Sequence, residues 1–426
     1  MSSFSQQSLL VKKKLPGRAA KSKCLQRSFL PVLAVGGDPA PPWTIDQIAG
    51  LIFGASLLAI YLSLGKVDEW VARSQRQQMG LCPECGGLNE PKTSEIDFAS
   101  APSRRLTGSG PTTKSRHLAS IPVIDLAQPD HLAAEEVAAA CSSVGFFYVR
   151  NHGVDEAVIE NQFVQSHAFF DLPLEEKLKI KANASQRGYY PYSMGSAKNS
   201  KGQHDQKEAF NVYGFESDST HLPFHGHNLW PPETMLPDFR PAMLAYYDAM
   251  NQVGIRILRL LGLALKLGPD YFLPKFQAST SNIRCVHYLP QQYSPADGIC
   301  GVGAHTDWGM LTVLATDAQP GLQISHEGSW IDVEPRPGHF VINIGDLLDR
   351  WTGGKFCSTL HRVINKTGKD RYSCPFFLAP DWNAKIEPLP GLQDPTINGS
   401  QKVVTCGEWL SMRRAAEYGG KPLVAL

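Results

Sequence analysis

Acidic residues are missing from the first 37 positions of this 426-residue chain, where Asp38 is the first carboxylate. The same stretch holds Lys12, Lys13, Lys14, Arg18, Lys21, Lys23 and Arg27, with serines between them. A strong excess of either charge is missing from the chain as a whole: 41 Lys and Arg against 40 Asp and Glu leave a net +1. Such a balance supplies no field for nucleic acid or an anionic surface, so nucleic acid is not expected as a partner. A disulfide framework is missing too. Nine cysteines are scattered, an odd number, and only Cys82 and Cys85 stand close together, which points to a reducing compartment. The Cys82–Cys85 knuckle has no second pair nearby, so a self-contained tetrahedral zinc site is not expected. A metal shared across a dimer, a redox-active pair and two idle thiols stay open for it.

Basic, Ser-rich and acid-free is the composition of an organellar transit peptide, and Val32-Leu33-Ala34 resembles a plastid processing site. No apolar core directly follows the charges, as a secretory signal would require. Residues 1–37 are therefore expected to direct the chain to a chloroplast. Long apolar runs are scarce, and one stands out: the uncharged segment from Gln47 to Gly65, between Asp46 and Lys66. About 18 apolar residues is the lower limit for crossing a bilayer as a helix. Trp43 and Tyr61 sit near its ends, where amphipathic rings favour the interface. The expectation is a transmembrane helix over 43–66, anchoring the chain through 47–65. Lys66, Arg73 and Arg76 would then keep the C-terminal bulk on the stromal side. Residues 67–117 carry the CxxC pair and end in a Ser-, Thr-, Pro- and Gly-rich linker.

Hydrophobic content of 42% places the remainder in the ordinary globular range. Ile121 to Leu126 reads as a first strand, His131 to Ser143 as a helix, and Gly145 to Val149 as a strand. A long helix is expected from Pro241 to Leu267, and short strands separated by Gly and Pro turns follow Asn282. Helices followed by a run of strands suggest an α+β chain with a β-sandwich or barrel core.

His305-Thr306-Asp307 spaces two metal-ligand types two residues apart. In an extended strand both would share a face and reach one ion. His361 is the best candidate for a third ligand. Two imidazoles and a carboxylate on one face of an octahedral ion form the facial triad of Fe(II) oxygenases, which leaves adjacent positions for a cosubstrate and O2. Downstream, His361 to Asn365 reads as one strand of a hairpin, Lys366 to Asp370 as its turn, and Arg371 to Phe377 as the returning strand. Alternation would put His361, Val363, Arg371 and Ser373 on one face. An Arg fork beside a hydroxyl suits a carboxylate held bidentately, so a dicarboxylate could meet the metal at one end and Arg371 at the other.

With these residues in place, the stretch from about Ile121 to Leu389 resembles the isopenicillin N synthase-like family of Fe(II)- and 2-oxoglutarate-dependent dioxygenases. Besides HxD…H and RxS, the similar stretches are IPVIDL (121–126), GFFYVRNHGV (145–154), DQKEAF (205–210), VHYLP (286–290), GLQI (321–324), VINIGDLL (341–348) and STLHRV (358–363). The resemblance implies a double-stranded β-helix, or jelly-roll, core with flanking helices. It implies a dioxygenase N-terminal region over 118–235, a core helical region over 236–278, a jelly-roll over 279–385 and a tail over 386–426. It further implies that His305, Asp307 and His361 bind Fe(II). Arg371 and Ser373 would hold the distal carboxylate of 2-oxoglutarate, with Tyr288 adding a hydrogen bond. His287, turned to the opposite face by alternation, reads as a core histidine or one that supports the site from behind. The implied reaction consumes O2 and 2-oxoglutarate, releases succinate and CO2, and hydroxylates or desaturates a small-molecule metabolite. Isopenicillin N synthase itself shares the RxS pair without using 2-oxoglutarate, which gives a within-class alternative. From another class, a membrane-tethered binding protein with a retired site would also carry the fold. Arg187, Tyr189, Lys207, Glu208 and Phe376 are candidate substrate contacts that could equally be structural.

Overall fold

Alternation of apolar and polar residues over short, β-branched segments builds two sheets that bury one face each against the other. The structure, a computed structural model, describes residues 121–183, 185–192, 205–218, 224–290, 300–392 and 403–418. Residues 1–37, the 47–65 segment and the Cys82–Cys85 pair lie outside the described residues. Among the described residues no helix is long and apolar enough to cross a membrane.

The strands are β1 (Val123–Asp125), β2 (Phe146–Arg150), β3 (Gly188–Tyr190), β4 (Lys207–Tyr213), β5 (Asn282–Tyr288), β6 (Val302–His305), β7 (Leu311–Thr316), β8 (Leu322–His326), β9 (Ser329–Val333), β10 (Phe340–Ile344), β11 (His361–Val363), β12 (Arg371–Leu378), β13 (Lys385–Ile386) and β14 (Val404–Thr405). The larger sheet runs β1-β2-β10-β7-β12-β5-β4-β3, and the smaller runs β6-β11-β8-β9. A two-stranded β13–β14 ribbon stands apart. Between the two sheets lies an apolar layer drawn from both, including Phe146, Tyr148, Val286 and Val341 from one and Leu322, Ile324 and Val363 from the other. This is the expected jelly-roll within an α+β chain.

The outer face of the larger sheet is covered by helices α1 (Asp130–Cys141), α2 (Glu156–Phe170), α3 (Leu174–Lys179) and α4 (Phe239–Ala264). The last presents Met243, Tyr246, Tyr247, Met250, Val253, Ile257, Leu258 and Leu261 to the core at helical spacing. It starts two residues before the expected Pro241. A proline in the first turn is tolerated, because the first N–H groups of a helix have no partner within it. Helices α5 (Asp346–Trp351) and α6 (Cys406–Tyr418) are joined by the Arg413–Asp346 ion pair.

The expected hairpin from His361 to Phe377 does not form. β11 pairs with β6 and β8 in the smaller sheet, whereas β12 pairs with β5 and β7 in the larger one. The segment between them crosses from sheet to sheet. Asn365, fully buried, pins the crossing by donating its amide to the carbonyls of Tyr288, Leu289 and Lys369. Alternation still sets the outcome, for a different reason: the inner faces of two facing sheets look at each other. Arg371 and Ser373 thus point into the same interior as His361, from the opposite wall.

Candidate metal and carboxylate site

His305 closes β6 and His361 opens β11, and the two are direct partners across the antiparallel pair. Their ring centroids are 4.3 Å apart. Asp307 lies beyond the end of β6 rather than in a strand, so the shared-face reason for pairing it with His305 does not apply. Past the strand end its carbonyl accepts from the Asp346 N–H at 2.8 Å. Its side chain meets the two histidines: Asp307 Oδ1 is 3.7 Å from Nε2 of both His305 and His361. One ligand atom from each of the three falls within 4.8 Å of the others, an arrangement that could hold a metal ion.

The surrounding hydrogen bonds decide which atoms stay available. Nδ1 of His305 meets the Gly303 carbonyl at 2.9 Å, and Nδ1 of His361 meets the Thr359 carbonyl at 3.0 Å. A carbonyl only accepts, so both Nδ1 atoms carry the proton and both Nε2 lone pairs face the cluster. Asp307 Oδ2 accepts from Asn343 Nδ2 at 2.7 Å and from the Thr312 hydroxyl, which leaves Oδ1 turned toward the imidazoles. Burial, reinforced by His305, pushes His361 down to about 4, so at neutral pH this ring is an unprotonated ligand. Burial raises the Asp307 carboxyl, but His361, His305 and the two hydrogen bonds outweigh it and hold it below the ordinary range. The donor set fits an Fe(II) ion: two imidazoles and one carboxylate, each oriented by a second bond.

Replacing Asn343 by Ala should leave the fold in place and weaken Fe(II) binding about 10–100-fold, the usual effect of losing a ligand's orienting partner. Competition against a chelator of known affinity measures it.

The rim is held by α6. Arg413 pairs with Asp346 at 2.7 Å, and Asp346 in turn accepts from Thr306, the residue between the two ligands. Trp409 Nε1 donates to the Trp308 carbonyl at 2.8 Å. One turn along α5, burial pushes the Asp349 carboxyl from the ordinary 3.8 up to about 6, against the bond it accepts from Ser358 N–H. A carboxyl raised on folding contributes stability that is complete below the unfolded value and lost as pH rises toward the folded one. Asp349→Asn keeps an acceptor for Ser358 and removes that loss. The variant should match the parent below about pH 4 and gain on the order of 2 kcal/mol above pH 6. Urea unfolding at pH 4 and pH 7.5 checks both ends.

Across the sandwich, Arg371 is 1% exposed, and its Nη1 has no hydrogen-bond partner. Its Nε donates to the Gln319 carbonyl at 3.2 Å, and its guanidinium lies over the Tyr288 ring at 4.9 Å. Ser373 Oγ reaches the Tyr288 hydroxyl at 3.4 Å. Gly321, at φ +151°, lets this arm through: a Cβ there would meet the Ile364 carbonyl at 2.8 Å and Arg371 Cδ at 3.4 Å. A buried guanidinium edge without an acceptor, beside two hydroxyls, fits one end of a dicarboxylate.

Of the candidate substrate contacts, most face away from this interior. Phe376 is on the outer face, edge-on to Tyr247 at 5.4 Å, and the side chains that alternate inward on β12 are those of Arg371, Ser373, Pro375 and Phe377. Arg187 is consumed by Asn228 and by the carbonyls of Phe215 and Phe224. Tyr189 and Glu208 belong to a buried outer-face network in which Glu208 also binds Lys177 at 2.9 Å and His287 at 2.9 Å. His287 therefore stands outside the site, as alternation implies. Lys207 shares the row of Tyr288 and Arg371 and pairs with Asp205 at 3.0 Å. Sequence reasoning assigned no role to Asn343, Thr312, Asp346 or Arg413. A polar Thr312 within the apolar run LTVLAT was the legible signal for one of them. Arg413 offered none, because its partner lies 67 positions upstream.

Comparison with known proteins agrees with this geometry. Residues 121–233 match the non-haem dioxygenase in morphine synthesis N-terminal family, and residues 280–380 match the 2OG-Fe(II) oxygenase superfamily. Kihadalactone A synthase LFS of Citrus sinensis is 36% identical over 304 residues, covering 68% of this chain and 90% of that protein. The 2-oxoglutarate-dependent dioxygenase traH of Penicillium crustosum is 36% identical over 294 residues, covering 67% and 87%. A full-length Neurospora crassa protein crystallised in complex with alpha-KG superposes with a TM-score of 0.62 at 26% identity, covering 70% of this chain and 95% of that one. The chain belongs to the 2-oxoglutarate–Fe(II) oxygenase superfamily and is an oxidoreductase that works with Fe(II), 2-oxoglutarate and O2.

Proposed function

We propose that His305, Asp307 and His361 hold the iron, that Arg371, Ser373 and Tyr288 hold the distal carboxylate of 2-oxoglutarate, and that a small-molecule metabolite is hydroxylated or desaturated between them. One observation carries this reading. Three lone-pair-bearing atoms converge with their other polar atoms already bonded, and an unpartnered guanidinium edge faces the same interior. Fe(II) with 2-oxoglutarate and O2 supplies the oxidising chemistry and releases succinate and CO2. The protein's own work is positional. Gly303 and Thr359 fix the histidine tautomers, while Asn343 and Thr312 hold one carboxylate oxygen of Asp307 so that the other faces inward. The apolar layer between the sheets, with Val286, Val341 and Val363, keeps water away from the reacting centre.

Purified chain with Fe(II), O2 and 2-oxoglutarate should release succinate in step with 2-oxoglutarate consumed, faster when a substrate is present. No 2-oxoglutarate consumption with any metabolite of a broad panel overturns the assignment and favours an oxidase that works without it. Absence of stoichiometric iron favours a binding protein.

The acid-free, basic, Ser-rich start supports import into a chloroplast, and the uncharged 47–65 segment supports anchorage to a membrane with the catalytic part on the stromal side. A fluorescent fusion of residues 1–116 should enter plastids and resist alkaline extraction; a cytosolic, soluble signal overturns both.

A further inference from the structure

Arg284 and Arg414 are two buried-edge cations without an acid. Nε and Nη2 of Arg284 and Nε of Arg414 are buried with no hydrogen-bond partner, and no carboxylate among the described residues pairs with either. The guanidinium of Arg284 lies over the Tyr190 ring at 4.7 Å. The charges of both arginines bear on that same tyrosine, whose hydroxyl burial otherwise pushes up. Leaving a guanidinium edge dry and unpaired is costly, and a ligand that completes it would relieve that cost.

Their place in the fold says which ligand. Along β5, Arg284, Val286 and Tyr288 share the inner face, and Asn211 of β4 sits directly opposite Arg284 with its Oδ1 also unpartnered. The neighbouring inner row holds Phe377, Thr312 and Asn343, the last two of which hold Asp307. One row and two strands separate Arg284 from Thr312, roughly 12 Å, and Asn343 lies one strand further. Arg414 follows Arg413, whose bonds to Asp346 and Thr306 fix α6 against the metal loop. The free edge of Arg284 is its Nε–Nη2 side, the fork that receives both oxygens of one carboxylate. Apolar side chains of the same cluster flank it along the inner face: Val286, Ala209 and Leu314.

We propose that Arg284 and Arg414 clamp the carboxylate of the organic substrate, which is accordingly an apolar small-molecule acid lying with its body toward the metal. The proposal rests on the functional reading above, since it names the substrate class of the same site.

The test uses full-length protein loaded anaerobically with Fe(II) and 2-oxoglutarate, with iron content measured first so that loss of the metal site is seen separately. Phenylacetate, trans-cinnamate and decanoate are titrated by calorimetry beside their methyl esters and phenyl phosphate. At least one acid should bind about tenfold or more tightly than its ester, and Arg284→Gln/Arg414→Gln should erase that preference while iron stoichiometry stays at the parent value. Acids and esters binding alike, no acid binding, or a preference that survives in the double variant overturns the proposal. Phenyl phosphate outcompeting every acid overturns the carboxylate assignment. A second measurement needs no ligand: without ligand the double variant should melt at or above the parent, because two unpaired, partly buried charges have been removed. A melting point clearly below the parent assigns the pair to the structure instead.

Discussion

Asp307→Asn yields a folded protein that no longer retains Fe(II) and turns over 2-oxoglutarate at least about a thousandfold more slowly. The asparagine is isosteric, and its single carbonyl oxygen can take over the two bonds now made by Oδ2, from Asn343 Nδ2 and from the Thr312 hydroxyl. Those donors are buried, and leaving both unpaired would cost about 1–3 kcal/mol each, so the amide settles in that orientation. Its NH2 group then occupies the place of Oδ1, between the two Nε2 atoms that each lie 3.7 Å from it. An amide nitrogen offers no lone pair to a metal, and the site also loses its one negative charge. Metal analysis after gel filtration, alongside near-ultraviolet circular dichroism, separates lost iron from lost fold. Parent-level iron in Asp307→Asn would remove Asp307 from the ligand set. An unfolded variant is answered by Asp307→Glu, which keeps the charge and displaces the ligand by one methylene.

Much of this site was legible because its chemistry is local. HxD, the third histidine and the RxS pair are short patterns of residue types that few structural demands would place together. Alternation alone also excluded His287, one position from Tyr288, and the structure puts it in the outer network with Glu208. What sequence could not supply was partnership at a distance. His361 was expected to be paired with β12 through a turn, since adjacent strands often form hairpins, yet it pairs with His305, 56 positions upstream, while Asn365 holds the crossing. The decision between the two rests on Asn365 finding carbonyls at Tyr288 and Leu289, which no window around it contains. Phe376 failed for a smaller reason. A one-residue step flips a side chain across the sheet, and only the ladder to β5 and β7 fixes which neighbour points inward. Nothing in the sequence around Arg284 singles it out; its importance lies in the absence of a partner, which is a property of the folded interior.

Arg371→Gln raises the KM for 2-oxoglutarate by about 30-fold or more, with iron content unchanged. The size follows from burial. Arg371 is 1% exposed, so a carboxylate that meets it is desolvated, and removing one partner of such a pair costs about 2–5 kcal/mol in binding. The shape of the loss follows from where the contact lies. Arg371 reaches inward from β12 on the larger sheet, whereas His305 and His361 are on the smaller one, so the substitution leaves the bonds around the metal ligands untouched. The effect should therefore fall on KM far more than on kcat at saturating 2-oxoglutarate, as it does when an interaction is equally strong in ground and transition states. Arg371→Lys discriminates charge from geometry. Lysine keeps the charge but gives up the planar fork, the stacking over Tyr288 and the bond to Gln319, so it should recover only a part of the affinity. Full recovery by lysine would mean that a point charge suffices; a KM within twofold of the parent in Arg371→Gln would place the distal carboxylate elsewhere. Ser373→Ala adds an independent check, because it removes one hydroxyl beside the Tyr288 ring without opening a cavity, and should raise the same KM about fivefold.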